Sequence, residues 1–270
     1  MRVERMCRLF GLYANKPVDV TFSFFESPKN SLVGLSYSNP HGWGVAWLDN
    51  SGWQVIKEPV ALYESRRARK VIKKRVYGRI IVSHVRLASS GGSGVENTHP
   101  WVYRGWAFAH NGTIYDRSAL LKLLTDEHRD SLEGSTDSEA FFHLIVQEAE
   151  ELGDPVDGIK SAIRKMNRSG IRYTSLNFIA SDGERLYALR YAATSLGYYT
   201  LYYLERPRDG LELRRLSEVT RQLIAAKLAR GERALLVASE PMSDEPNWKP
   251  IPNKHLLIVY SDLSTEIVRV

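Results

Sequence analysis

A block of strands, then a block of helices, then a second block of strands: this order constrains the chain more than any single residue does. CRLFGLY (7–13), GWGVAWL (42–48), WQVIKEP (53–59), RIIVSHVRLA (79–88) and WAFAHNGTI (106–114) are rich in aromatic and β-branched residues and bounded by Gly, Pro or Asn. Helical periodicity follows over 117–125, 136–152 and 155–167. In the second of these, Phe141, Phe142, Leu144, Ile145 and Ala149 outline an apolar face. Strands then return, with SLNFIAS and RLYALRYA flanking the hairpin turn signal SDGE, followed by TLYYLER, ALLVASEP, HLLIVYS and TEIVRV. A further helical pattern lies near 217–229. Strict βαβ alternation is missing, which disfavours a parallel doubly wound sheet. The order predicts an α+β architecture of two mainly antiparallel sheets flanked by helices.

Composition narrows the class of protein. With 270 residues, 43% hydrophobic and 25% charged, the chain has the make-up of an ordinary globular protein. No Pro-, Gly- or Ser-rich linker and no internal repeat divides it, so one domain over 1–270 is expected. No apolar run approaches the ~20 residues of a membrane span, and the basic N-terminus lacks the apolar core of a secretory signal. One cysteine suits a reducing compartment, and the expected location is the cytoplasm without a membrane partner. The net charge of +6 is concentrated in RRARKVIKKRVYGR (66–79), which holds eight of the 37 Lys and Arg and none of the 31 acids. That segment reads either as a solvated helix, with Ala68, Val71, Ile72 and Val76 inward, or as a surface for an anionic partner. No nucleic-acid motif or aromatic interleaving accompanies it, and a nucleic-acid partner is not expected.

Five stretches set polar groups in apolar surroundings: MCRLFG (6–11), HGWGVAW (41–47), SHVRLASSGG (83–92) with ENTHPW (96–101), AHNGTI (109–114) and GSTDSE (134–139). Each supports two readings. Cys7 is a buried apolar residue or a reactive thiol. Asn111-Gly112 is a type I′ hairpin turn, or a pair of donors converging on a developing oxyanion. Arg86 is an outward-facing strand residue, or a planar fork for a carboxylate. Thr136 and Glu139 have capping-box spacing, which puts Asp137 in a first helical turn; there it serves the helix dipole or accepts an ammonium group. His41, His84, His99 and His110 lack tight metal-ligand spacing, and His41-Gly42 and His99-Pro100 read as loop shapers. No metal site is expected.

Taken together and in this order, CRLFG, HGWGVAW, SHVRLASSGG with ENTHPW, FAHNGTI and GSTDSEAFF resemble the class II glutamine amidotransferases. LLVASEPMSDEPNWKPIP (235–252) is similar to the stand-alone bacterial-type members. The resemblance implies the N-terminal-nucleophile hydrolase fold, a four-layer αββα sandwich. It implies that Cys7 attacks the γ-amide of glutamine or of a γ-glutamyl compound, forming a thioester and releasing ammonia or an amine. Asn111 and Gly112 would form the oxyanion hole. Arg86 would hold the substrate α-carboxylate and Asp137 its α-ammonium, with Gly42, Trp43 and His99 completing the pocket. No cofactor is implied. The implied partner is the small-molecule substrate; the chain either works alone or passes ammonia to a separate synthase subunit, and association with further copies of the chain stays open. In this family the base is the nucleophile's own α-amine, which has a reference pKa near ~7.7–8. Six residues precede Cys7 here. Either translation starts at Met6, or residues 1–6 are a leader removed by cleavage, or the chain is a catalytically silent module that binds glutamine or a partner.

Overall fold

Side-chain alternation along the first strand decides how the layers stack. In the computed structural model, which describes residues 7–207 and 213–270, β1 (Arg8–Asp19) sends Leu9 and Tyr13 to one face and Phe10, Leu12 and Ala14 to the other. The chain continues through β2 (Trp43–Asp49), β3 (Gly52–Glu58), β4 (Tyr77–Val85), β5 (Trp101–Tyr103) and β6 (Trp106–Asn111). After the central helices come β7 (Asn177–Ser181), β8 (Leu186–Arg190), β9 (Tyr202–Arg206) and β10 (Ala234–Ala238). Last come β11 (Lys249–Pro250), β12 (His255–Val259) and β13 (Thr265–Arg269). They form one sheet in the order β11-β9-β10-β1-β4-β2-β3 and a second in the order β13-β12-β8-β7-β6-β5. Every pairing is antiparallel.

The two sheets pack face to face. Leu9, Tyr13, Ile80 and Val82 of the first meet Ala107, Ala109, Ile179, Ala188 and Leu257 of the second. Three of the second sheet's inner-face residues are alanines, and Gly11 on the first lets Ile179 approach; an added Cβ would lie 2.7 Å from that side chain. The helices cover the outer faces. Over the first sheet lie α1 (Leu32–Ser36) and α2 (Ala68–Arg75), whose Leu32, Ala68 and Ile72 join Phe10, Leu12, Val45 and Ile81. In α2 the basic residues are exposed. Near the second sheet the chain forms α3 (Arg117–Leu121), α4 (Asp126–Asp130), α5 (Asp137–Leu152) and α6 (Pro155–Arg168). Phe141, Phe142 and Ile145 of α5 and Ile159 and Ile163 of α6 pack there with Phe108, Phe178 and Tyr187. The remaining helix is α7 (Glu218–Ala229). The layers are αββα, as the strand and helix order and the family resemblance led one to expect.

Two local expectations are corrected. The pattern over 117–125 is helical only as far as Leu121, and a separate helix follows at Asp126–Asp130, because α5 satisfies the backbone of the break between them. Gln147 accepts from Thr125 N–H at 2.8 Å and donates to Leu123 C=O at 3.1 Å. Asn111-Gly112 makes no hairpin: β6 ends at Asn111, and the chain runs on to pair Ile114 with Tyr173. The SDGE turn, by contrast, joins β7 to β8 with Gly183 at φ +92°. No helix among the described residues is long and apolar enough to cross a membrane.

Candidate active site

The site forms where β1 and β4 meet the end of β6. The β1–β4 register pairs Arg8 with Val85 and Leu9 with His84, which brings Cys7, just before β1, beside the residues that follow β4. The Cys7 thiol accepts a hydrogen bond from Leu87 N–H at 3.1 Å and donates to Leu87 C=O at 3.3 Å. Its enclosure pushes the thiol up to about 11, against the smaller opposing effects of the Leu87 hydrogen bond and the Arg86 charge. A thiol in this environment is protonated at neutral pH and needs a base to become a nucleophile.

Around it opens a small cleft, lined by residues that include Cys7, Arg86, Ser90, His99, Gly112 and Asp137. Arg86 is 2% exposed. Its guanidinium donates to Ser90 C=O at 2.9 Å and to Gly92 C=O at 3.3 Å, so the Gly-rich loop after β4 wraps its own arginine. Its backbone is braced by His41-Gly42, with Arg86 N–H donating to Gly42 C=O at 2.7 Å. Asp137 opens α5, where Thr136 caps the helix by accepting from Glu139 N–H at 3.2 Å. The capping box is half formed, since the Glu139 carboxylate turns to the N–H groups of Glu133 and Gly134. The Asp137 carboxylate is oriented by Ile114 N–H at 2.6 Å and by the Ser90 hydroxyl.

Gly112 is required by crowding: a Cβ there would stand 1.9 Å from Ser175 C=O. That carbonyl is also met by His110, whose Nε2 lies 3.1 Å away while its Nδ1 lies 2.8 Å from the Ser138 hydroxyl. The carbonyl can only accept, so Nε2 carries the proton and Nδ1 accepts from Ser138. His99 packs against His84 with the rings tilted by 33° and their centroids 4.0 Å apart, and both are held neutral chiefly by burial, His84 down to about 3.

The structure thus brings Cys7, Arg86, His99, Gly112 and Asp137 together, while three other candidates stand differently. Trp43 pairs with Val85 and, like it, faces the outer core, its indole donating to Glu58 at 3.1 Å; it is not part of the cleft wall. Gly42 acts behind the wall through its carbonyl on Arg86. Asn111 closes β6 and is 2% exposed, adjacent in sequence to the cleft wall at Gly112. Sequence reasoning did not single out Ser89, Ser90, Thr136 or Ser138 as cleft residues, although all four lie inside its quoted motifs. Among the described residues, no group of three or more His, Cys, Asp and Glu side chains is arranged to hold a metal ion.

Two facing antiparallel sheets flanked by helices are shared with solved amidotransferase structures. A glutamine aminotransferase class-II domain protein from Silicibacter pomeroyi superimposes with a TM-score of 0.66 at 22% identity, covering 97% of this chain and 99% of that one. The glutamine phosphoribosylpyrophosphate amidotransferase of B. subtilis gives a TM-score of 0.66 at 19% identity over 97% of this chain and 49% of that one. These likenesses identify the N-terminal-nucleophile hydrolase fold. Residues 6–267 match the model of the class II glutamine amidotransferases, and the chain belongs to that family. Among its relatives, YafJ of Escherichia coli is 26% identical over 258 residues, 91% of this chain and 94% of its own. The amidophosphoribosyltransferase of Methanocaldococcus jannaschii is 28% identical over 165 residues, 60% of this chain and 34% of its own. Membership places the protein among domains that transfer or release the amide nitrogen of glutamine.

Proposed function

We propose that the chain is a thiol-dependent amidohydrolase in which Cys7 attacks the γ-amide of glutamine or of a γ-glutamyl compound. The observation that carries this reading is the meeting of Cys7, Arg86, Gly112 and Asp137 in one cleft. These groups come from four separate parts of the chain. Together they supply a nucleophile, a cation, a backbone N–H and an anion to one small volume.

The chemistry follows from these groups. Arg86 pairs with the substrate α-carboxylate and Asp137 with its α-ammonium, which directs the side-chain amide toward Cys7. The Cys7 α-amine, once free, takes the thiol proton, and the sulfur adds to the amide carbon. The oxyanion that forms is met by Gly112 N–H and by the Asn111 side chain. Collapse expels ammonia, which takes its proton from the α-ammonium of Cys7, and leaves a thioester that water cleaves to the γ-carboxylate. In this reading Cys7 is the first residue of the active protein, and residues 1–270 belong to one amidotransferase domain. The ammonia either diffuses away or passes to a separate synthase subunit. Residues 1–6, on which the choice between a start at Met6 and a removable leader turns, lie outside the described residues.

The thiol's elevated pKa supports the need for that amine, since with residues 1–6 attached the Cys7 nitrogen is a peptide amide that cannot take the thiol proton. The test compares protein beginning at Cys7 with the chain of residues 1–270. Ammonia release from glutamine by the first and its loss in the second is the expected result. No release by either form, under conditions where both are folded, favours the alternative of a glutamine-binding or partner-binding module.

A further inference from the structure

One residue touches both charged groups of the cleft. Ser90 accepts from Arg86 Nη2 through its backbone carbonyl at 2.9 Å and donates its hydroxyl to Asp137 Oδ1. The next residue but one, Gly92, takes the other Arg86 contact at 3.3 Å. The preceding one, Ser89, accepts from the Thr113 hydroxyl at 3.0 Å, lacing the loop to the segment that follows Gly112.

The physical consequence is specific. A carboxylate held by a single donor still swings about its Cβ–Cγ bond, whereas one held on both oxygens does not. Ile114 N–H fixes Asp137 Oδ2 at 2.6 Å, and the Ser90 hydroxyl fixes Oδ1. Each oxygen keeps lone-pair capacity for a substrate cation. On the other side, two of the five guanidinium donors of Arg86 are committed to the loop carbonyls, which fixes the plane of the fork. Ser90 supplies one contact of each pair.

We propose that Ser90 is a positioning residue that sets the spacing between Arg86 and Asp137 and so makes the cleft selective for an α-amino acid head, with carboxylate and ammonium on one carbon. The proposal rests on the roles of Arg86 and Asp137 given above. Ser90 acts through these two side chains. Its hydroxyl matters for a ligand that carries the ammonium and is silent for one that lacks it.

The test is calorimetric binding to protein that begins at residue 7 and carries Cys7→Ala, which removes turnover. The ligands are glutamine and glutaramate, which is glutamine without its α-amine. Adding Ser90→Ala should weaken glutamine about tenfold, the scale of one hydrogen bond to a charged group, and leave glutaramate unchanged. Ser90→Thr, which keeps the hydroxyl, should restore most of the glutamine affinity. Equal weakening of both ligands by Ser90→Ala, or no change in either, overturns the positioning role. Failure of the Cys7→Ala parent to bind glutamine at all is a different result, and it overturns the reading of the cleft along with this proposal.

Discussion

Cys7 and Leu87 are locked together through both backbone groups of Leu87, the thiol accepting from its N–H at 3.1 Å and donating to its C=O at 3.3 Å. The sulfur is therefore fixed in place while its proton is hard to remove.

With residues 1–6 attached, alkylation by iodoacetamide should be slow at neutral pH and should accelerate as pH rises toward the thiol value of about 11. The sign follows from the raised pKa, since the thiolate is the reactive form and is scarce below it. Protein that begins at Cys7 should react faster near pH ~8, because its α-amine titrates there and takes the thiol proton. Equal alkylation profiles for the two forms would show that the amine is not the base.

Arg86→Lys should raise KM for glutamine about tenfold while moving kcat less, because an ammonium cannot reproduce a planar two-bond fork. The same change removes contacts to the loop carbonyls of Ser90 and Gly92. Steady-state kinetics separate the two parameters. An unchanged KM would remove Arg86 from substrate binding.

Gly112→Ala puts a methyl into the Ser175 carbonyl, where the unrelaxed separation is 1.9 Å. The segment after β6 must shift, and the Gly112 N–H moves with it. A fall in kcat of about a hundredfold or more is expected if that N–H stabilises the oxyanion. Circular dichroism of the variant distinguishes a displaced donor from an unfolded domain. Activity at the parent level in a folded variant would show that Gly112 N–H plays no such part.

Acid should destabilise the fold. Burial holds His84 down to about 3 and keeps His99 and His110 below the ordinary histidine range. In the unfolded chain each titrates near ~6.5. Above that value neither state is protonated and their stabilising contribution is complete. As pH falls below it the unfolded chain takes up protons that the folded chain refuses, and stability drops until the folded rings titrate. Each such histidine contributes up to about 1.4 kcal/mol per pH unit over that window. Urea midpoints measured across the window should fall with pH, and a flat series would contradict the neutral burial of the three rings.

The sandwich was legible because alternation and punctuation are strong in this chain. GWGVAWL and HLLIVYS carry their strands almost to the observed limits, and Asp154-Pro155 marks the start of α6. The far half of β1 was not legible. It continues to Asp19 through Asn15, Lys16 and Pro17, residues that locally signal a turn, and is held by a register shift between Tyr13 and Val18. Tertiary pairing overrides local preference there.

The charged members of the cleft could be read from the motifs, but the partition between wall and support could not. HGWG looks like a single pocket element, yet period-two alternation turns Trp43 into the outer core. Gly44 instead faces the His99–Pro100 segment so closely that a Cβ would meet the His99 carbonyl at 2.2 Å. Nothing local to SSGG announces that Ser90 will reach Asp137, 47 positions further on. That contact exists only because α5 begins beside the end of β6.

The placement of β1 has a consequence for how the protein is made. One of its neighbours is β10, and the head of the strand is tied there by Leu9 N–H to the Ser239 hydroxyl at 2.9 Å and by Arg8 to Glu240 at 2.6 Å. Every residue of the cleft wall has been translated by Ser138, but the segment that anchors Cys7 from the other side leaves the ribosome only after residue 234. A chain stalled or cut before that point would carry all the chemistry of the cleft, with Cys7 still held by Leu87 but its strand without a neighbour on the β10 side. The last seventh of the protein thereby completes the seat of the strand that carries its first reactive group.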